Sequence, residues 1–291
     1  MIDDNSAFGS SHSARARTKH DDYFIVQIDG REAINDLYAF SLVVDVPPGT
    51  RAFALGERLE ILLPVGEKSA RRVAGVLIEY RRLHHLDSFS DAAHHYTLEV
   101  RPAAWRLTQR RGSRVFQDRT VRQVIEQLLD EHDVPFQWEA SSSDRSHDLL
   151  VQYDETDWDF VLRLLSELGC FSFFTPGERM DRLMIVAAAS DCPPLESAPN
   201  QLCRLTLATA TSDLATNSLW NAVTTRRLRP SRTVTRARDF EHPQMTIEGR
   251  AACEEVGRGV ATSEHYLHHA SHEDHQSDDV EELAQWLLDG Q

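Results

Sequence analysis

The chain has 291 residues, 26% of them charged, and a formal net charge of −15. That length accommodates two or three compact domains, and so acidic a balance excludes a general nucleic-acid binder, which needs a basic footprint. The sequence contains no apolar run near the about 18 residues that a membrane-spanning helix requires.

The opening MIDDNSAFGSSHSARARTKH lacks an apolar core region. It is therefore not read as a signal peptide, and residues 1–20 are predicted to be a disordered, weakly basic leader. Residues 21–110 then read as strand after strand: Tyr23 to Ile28, Leu37 to Val46 before the Pro47-Pro48-Gly49 breaker, Leu59 to Val65, Val73 to Tyr80 with a break at Gly75, and Tyr96 to Val100 before Pro102. Turn signals recur along this stretch and helical periodicity is absent, the pattern of a first β-barrel or sandwich.

The period changes over residues 111–192. Val121, Val124, Ile125, Leu128 and Leu129 form one apolar helical stripe behind an N-capping Thr120, and Pro135 lies beyond its end. A strand Phe136 to Glu139 follows, then the polar loop SSSDRSHD. A second helix is predicted over 156–168, capped by Thr156, with Asp157 and Asp159 at the positive end of its dipole and Gly169 as its stop. Strands 170–175 and 182–188, joined at Pro176-Gly177, make a hairpin, so this stretch reads as a small α+β domain with two helices on a short sheet.

Past Pro193-Pro194 the strand pattern resumes at 202–208, 219–228 and 232–238, marking residues 200–240 as the start of a second β-barrel. Residues 241–291 form an acidic, histidine-rich segment with a terminal helix from Asp278 to Leu288. Residues 240–291 hold twelve Asp/Glu against two Lys/Arg, so most of the charge excess lies there. Residues 220–238 are the opposite: Arg226, Arg227, Arg229, Arg232, Arg236 and Arg238 with no acid. These arginines occupy the wet face of two strands, or else they face an acidic partner such as the chain's own tail.

The cysteines are Cys170, Cys192, Cys203 and Cys253, none at Cys-x-x-Cys spacing. Reduced thiols are expected, with Cys170 a small core residue. His265, His268, His269, His272 and His275 form the metal-like constellation; on a helix, His265 with His269 or His268 with His272 would share a divalent ion. A solvated loop with histidines titrating near neutrality explains them better, and the spacing of His272 and His275 is too tight for a His-Glu-x-x-His motif. The acidic run Asp154 to Asp159 lacks the glycine and distal glutamate of a calcium loop and reads as a helix start. No Gly-x-Ser-x-Gly, phosphate-binding loop or dinucleotide fingerprint stands in the chain, so neither an enzyme activity nor a cofactor is expected.

Gln152, Tyr153, Glu155, Asp157, Phe160, Arg163, Leu164, Glu167, Gly169 and Phe174 stand in an order that resembles the signature of the VgrG/phage-tail hub family of contractile injection machines. Further pieces support this: LEVRPAAWRL, with Pro102 and Trp105, resembles the family's turn out of its first barrel; Arg114-Val115-Phe116-Gln117 resembles the entry to its first helix; and Asp239-Phe240 with Pro243 resembles a strand end in its second barrel. The resemblance covers about residues 22–245. It implies two barrel-like domains separated by a small two-helix domain, and a structural role for the signature residues, with Arg163 orienting carboxylates near the helix start. It also implies a homotrimer, a hexameric Hcp-like tube protein and spike, tip or effector proteins as partners, assembly in the cytoplasm, and secretion as part of the injected tip. The spike of that family finds no counterpart in this sequence, whose last residues resemble an insertion in the second barrel.

Overall fold

The computed structural model describes residues 13–50, 53–65, 69–83, 94–140, 145–193 and 230–238, with shorter pieces at 206–207, 218–219, 223, 244, 246–252, 264–268 and 284–285. Alternation builds the first domain. In Ala39–Val46 every second residue is buried, so Phe40, Leu42, Val44 and Val46 face one interior. Six antiparallel strands close around it: β1 (Arg15–Arg17), β2 (Asp22–Arg31), β3 (Ala39–Val46), β4 (Arg58–Val65), β5 (Ser69–Arg82) and β6 (His94–Arg101), in the order β1-β2-β3-β6-β5-β4. Bulges between Ile25 and Gln27 and between Leu77 and Glu79 bend the longer strands.

The closing strand corrects the reading of residues 1–20 as a disordered leader. Ala16 is fully buried and pairs with Tyr23 on one side and Ile61 on the other, so three residues satisfy two sheet edges at once. A tripeptide carrying one small apolar residue between arginines offers no periodicity by which to see this. Residues 1–12 lie outside the described residues.

A 3-10 turn, Ala103–Gln109, leads out of the barrel. β7 (Arg111–Thr120) pairs antiparallel with β9 (Ser146–Thr156), and these strands flank α1 (Val121–Glu131) and β8 (Phe136–Trp138) in the sequence. α2 (Asp157–Glu167) follows β9 directly. β10 (Phe171–Thr175), β11 (Arg182–Val186) and β8 make a second sheet in the order β10-β11-β8, with β8 parallel to β11. The predicted polar loop is thus overturned at Ser146 to Asp148, which belong to β9, and β7 was not foreseen. Both strands are polar in sequence and exist because each supplies the other's backbone partners over about ten residues.

Both helices begin as their caps dictate. Thr120 accepts from the amide of Gln123 at 3.1 Å while the Gln123 side chain accepts from the amide of Thr120 at 3.2 Å, a reciprocal capping box. Thr156 accepts from the amide of Asp159 at 3.0 Å. α2 stops at Gly169, whose φ of 64° is in the left-handed region that glycine enters without a side-chain clash. Val124, Ile125, Leu128 and Leu129 of α1 and Phe160, Val161, Leu164 and Leu165 of α2 share one core, which also takes in Val76 of the barrel.

A short polar seam joins barrel to α+β unit. Asn35 donates its amide to the carbonyl of Ser172 (2.8 Å) and its Oδ1 accepts from the amide of Ser172 (2.7 Å). Tyr38 and Phe174 meet edge to face with centroids 5.3 Å apart.

Beyond this unit, β12 (Thr206–Leu207) and β13 (Ser218–Leu219) pair in parallel. β14 (Arg232–Arg238) lies between antiparallel β15 (Thr246–Ala252) and parallel β16 (Glu264–His268). The arginine-rich strand meets acids from the C-terminal segment: Arg232 lies 3.6 Å from Glu264, and Nε of Arg236 donates to Glu248 at 3.1 Å. Arg226, Arg227 and Arg229 fall outside the described residues, as does most of the expected terminal helix, of which Ala284 and Gln285 are helical.

Candidate functional site

The turn from β9 into α2 gathers most of the signature residues. Gln152 is fully buried, and its Nε2 donates to Oδ1 of Asp157 at 2.8 Å and to the carbonyl of Glu155 at 3.2 Å. Asp157, 1% exposed, accepts from Nε of Arg110 through Oδ2, and Nε2 of His132 lies 2.8 Å from that same oxygen. The backbone closes the same contact, since the amide of Asp157 donates to the carbonyl of Arg110 at 3.1 Å. Both carboxylate oxygens are therefore engaged inside the protein, and the chemistry of this group is positional: it ties the start of α2 to the end of α1 and the start of β7.

Arg163 performs the neighbouring task. Its guanidinium donates to Glu155 at 2.7 Å, Glu167 at 3.1 Å and the carbonyl of Val151 at 2.9 Å, spanning from the strand to the last turn of the helix. The same guanidinium stands 5.0 Å from the ring centroid of Phe160, which stacks on Phe116 with centroids 5.9 Å apart. Leu164 is fully buried beside it. Phe174 lies on β10, packed on both the barrel core and the α+β core.

Tyr153 points the other way. At 79% exposed it stands on the outer face of the β7–β9 ribbon with Val115 and Val151, whose registers oppose. Pro102 and Trp105 are distant from the cluster in the chain, at the 3-10 turn, where the amide of Trp105 donates to the carbonyl of Pro102 at 3.0 Å.

Sequence reasoning missed Arg110, His132 and Glu131. Glu131 accepts from Arg114 in two bonds of 2.8 Å, from Arg110, and from Gln127 at 2.8 Å. The Arg114 hydrogen bonds are the largest influence holding its carboxyl down to about 2. Arg110 and Asp157 lie 47 positions apart, and no local pattern announces such a pair.

The helical histidine arrangement is corrected. Glu264 to His268 form a strand, with His265 beside Thr233 and His268 beside Arg236 of β14. Within this segment His265 and His268 therefore stand on a strand and not on a helix turn. His269, His272 and His275 lie outside the described residues. Among the described residues, no three His, Cys, Asp or Glu side chains group as a metal site, and no helix is long and apolar enough to cross a membrane.

A closed barrel running into a two-helix α+β unit is the architecture of tail hub proteins. The fold matches the tail protein of Neisseria meningitidis MC58 with a TM-score of 0.59 at 13% identity, covering 95% of this chain and 77% of that one. It matches the E. coli c3393 protein, described as a component of the type VI secretion system with structural similarity to T4 tail proteins gp27 and gp5, with a TM-score of 0.51 at 22% identity, over 60% of this chain and 49% of that one. A family model for the phage tail baseplate hub (GPD) matches residues 31–291, and the chain belongs to that family. Curated relatives include the type VI secretion system spike protein VgrG1c of Pseudomonas aeruginosa, 29% identical over 51% of this chain and 20% of the relative. Another is the actin cross-linking toxin VgrG1 of Vibrio cholerae, 32% identical over 45% of this chain and 12% of the relative. The chain thus spans about a fifth or less of the length of these two relatives.

Proposed function

We propose that this chain is a structural subunit at the hub of a contractile injection machine, joining the tube to the tip and supporting effector delivery. The observation that carries this reading is the closed barrel locked to the α+β unit through the Asn35–Ser172 and Asp181–Ala74 clasps and the Tyr38–Phe174 contact. A rigid block of that kind suits a part that transmits force rather than one that turns over a substrate. The first barrel runs to residue 110 and takes in the closing strand Arg15–Arg17; residues 111–192 and 200–240 are the α+β domain and the start of a second barrel, and 241–291 is an inserted segment. The signature residues act structurally, and the chain acts without a cofactor.

The assembly is a homotrimer facing a hexameric Hcp-like tube ring, with spike, tip or effector proteins on the far side. Two similar barrels in each of three copies would present six quasi-equivalent faces to a six-fold ring. Assembly takes place in the cytoplasm, and the subunit leaves the cell with the tip.

The test is the mass in solution of the purified chain by light scattering. The 33.1 kDa chain is expected to give a particle of about 100 kDa. A particle that stays at the mass of one chain at every concentration sinks the self-assembly part of the proposal.

A further inference from the structure

Asp181 precedes β11 in the α+β unit but belongs to the barrel by its contacts. Its amide donates to the carbonyl of Ala74 at 3.0 Å, and its Oδ1 accepts from the amide of Ala74 at 3.1 Å, a two-bond clasp on β5. The residue is 6% exposed. Beside its carboxyl stands the hydroxyl of Tyr38, itself 2% exposed, a phenol whose O–H favours the ionised carboxylate without outweighing its burial. That hydroxyl would lie 3.0 Å from a Cβ at Gly75, so the space around it is closed.

The other charged groups facing the carboxyl are Arg72 of β5 and Glu32, just past β2. Arg72 is already shared between Glu60, at 3.2 Å, and the carbonyl of Glu178, at 3.1 Å. Arg58 reaches the carbonyl of Arg179 and Oε1 of Glu60. Among the described residues, Asp181 thus sits in the seam as a carboxyl without an ion-pair partner of its own. A cleft of about 270 Å³ opens on the same seam, walled by Glu32, Ala33, Ile34 and Tyr38 from the barrel side and by Phe173 and Phe174 from the α+β side.

We propose that Asp181, clasped to Ala74 and tuned by the Tyr38 hydroxyl, is an acid-set latch between the barrel and the α+β unit: the seam is held shut when the buried carboxyl is protonated and loosens when it ionises, widening the cleft beside Tyr38. Protonated, the carboxyl carries no buried charge while Oδ1 keeps the Ala74 amide. Ionised, it is a buried charge supported only by the Ala74 amide, the Tyr38 hydroxyl and an arginine committed elsewhere, and the cost of burial exceeds that support. Burial raises this carboxyl from the usual carboxylate range to about 6. The closed seam therefore binds the proton more tightly than the open one, and its advantage is complete at acid pH and lost as pH rises through about 6. A shift of about two units corresponds to a change on the order of 100-fold in the opening equilibrium.

The test is hydrogen–deuterium exchange of the full chain at about pH 5 and about pH 7.5, corrected for intrinsic exchange rates and read at the Ala74 and Asp181 amides. Protection is expected to drop by about 10-fold across that window, the part of the latch shift that remains above about pH 5, and to stay level in Asp181→Asn. Equal protection at both pH values in the native chain, or an undiminished drop in Asp181→Asn, overturns the latch. Tyr38→Phe gives a second reading that does not depend on Asp181→Asn folding. Removing a hydroxyl that helps the ionised carboxyl is expected to move the midpoint of the drop to higher pH, and an unmoved midpoint overturns the pairing of the two residues.

Discussion

Gln152 and Asp157 face each other across the turn from β9 to α2, Nε2 to Oδ1 at 2.8 Å, with both side chains excluded from solvent. The contact joins two members of one sequence signature, and it assigns them a common task. Asp157 is the hub of the cluster, because Arg110 and His132 converge on its other oxygen.

Asp157→Ala is expected to destabilise the chain by about 3 kcal/mol, since it strands Gln152 and leaves Arg110 and His132 without their shared acceptor. Tyr153→Ala, one position from Gln152 but exposed, is expected to change stability by no more than about 0.5 kcal/mol. Urea unfolding of the two variants checks the pair. Equal losses would mean that adjacent signature residues do not divide between buried and exposed roles as the structure has them.

Glu131 carries an acid-sensitive contribution. Its carboxyl is held at about 2, below the ordinary value of 4.5, first by Arg114 and then by Gln127 and Arg110. A depressed carboxylate stabilises the fold above its unfolded pKa and loses that contribution as pH falls from about 4.5 towards 2. With 28% of the side chain exposed, solvent screening leaves about 1–2 kcal/mol. Glu131→Gln should flatten this acid limb in a series of denaturant midpoints, and an unchanged limb would remove Glu131 from the account.

Asp181 has the opposite sign. Its carboxyl is raised to about 6 by burial, so global stability should decline as pH rises from about 4 to about 6 and level off above. Asp181→Asn is expected to be the more stable protein at neutral pH, by about 2–3 kcal/mol. A variant less stable than the native chain at neutral pH would show that the ionised carboxylate is well solvated or paired.

Gly75 answers to packing. A Cβ there would stand 2.5 Å from the carbonyl oxygen of Arg101 and 2.7 Å from Cγ1 of Val100, and a backbone carbonyl in a sheet has little room to yield. Gly75→Ala is expected to cost about 1–3 kcal/mol, visible as a lower midpoint of thermal unfolding. An unaltered midpoint would mean that β5 and β6 can separate at this point without loss.

The legible parts of the fold were those whose cause is local. Buried alternation in Phe40, Leu42, Val44 and Val46 marked a barrel strand, and the stripe Val121 to Leu129 marked a helix. Thr120, Thr156 and Gly169 set helix ends through contacts within a few residues. β7 and β9 were illegible for the converse reason. Strands such as RGSRVFQDRT carry little apolar alternation, and their stability lies in a partner some thirty positions away.

The candidate site divides in the same way. The order of Gln152, Asp157 and Arg163 along the chain marked a signature, but not that Tyr153 within it faces solvent while Gln152 does not. Of the histidine segment, Glu264 to His268 form a strand beside β14, a placement set by a partner some thirty positions away and not by the local spacing.

By itself the sequence determined the succession of β-rich, α+β and β-rich segments, the helix caps and the signature that identifies the family. These follow from short-range periodicity and from the fixed geometry of turns and caps. Only the tertiary structure decided that Arg15–Arg17 closes the barrel, that Arg110 and His132 complete the Asp157 cluster, and that Asp181 is buried in the seam against Ala74 and Tyr38. Each of those depends on bringing distant backbone groups together, after which burial makes every unmatched donor, acceptor or charge count.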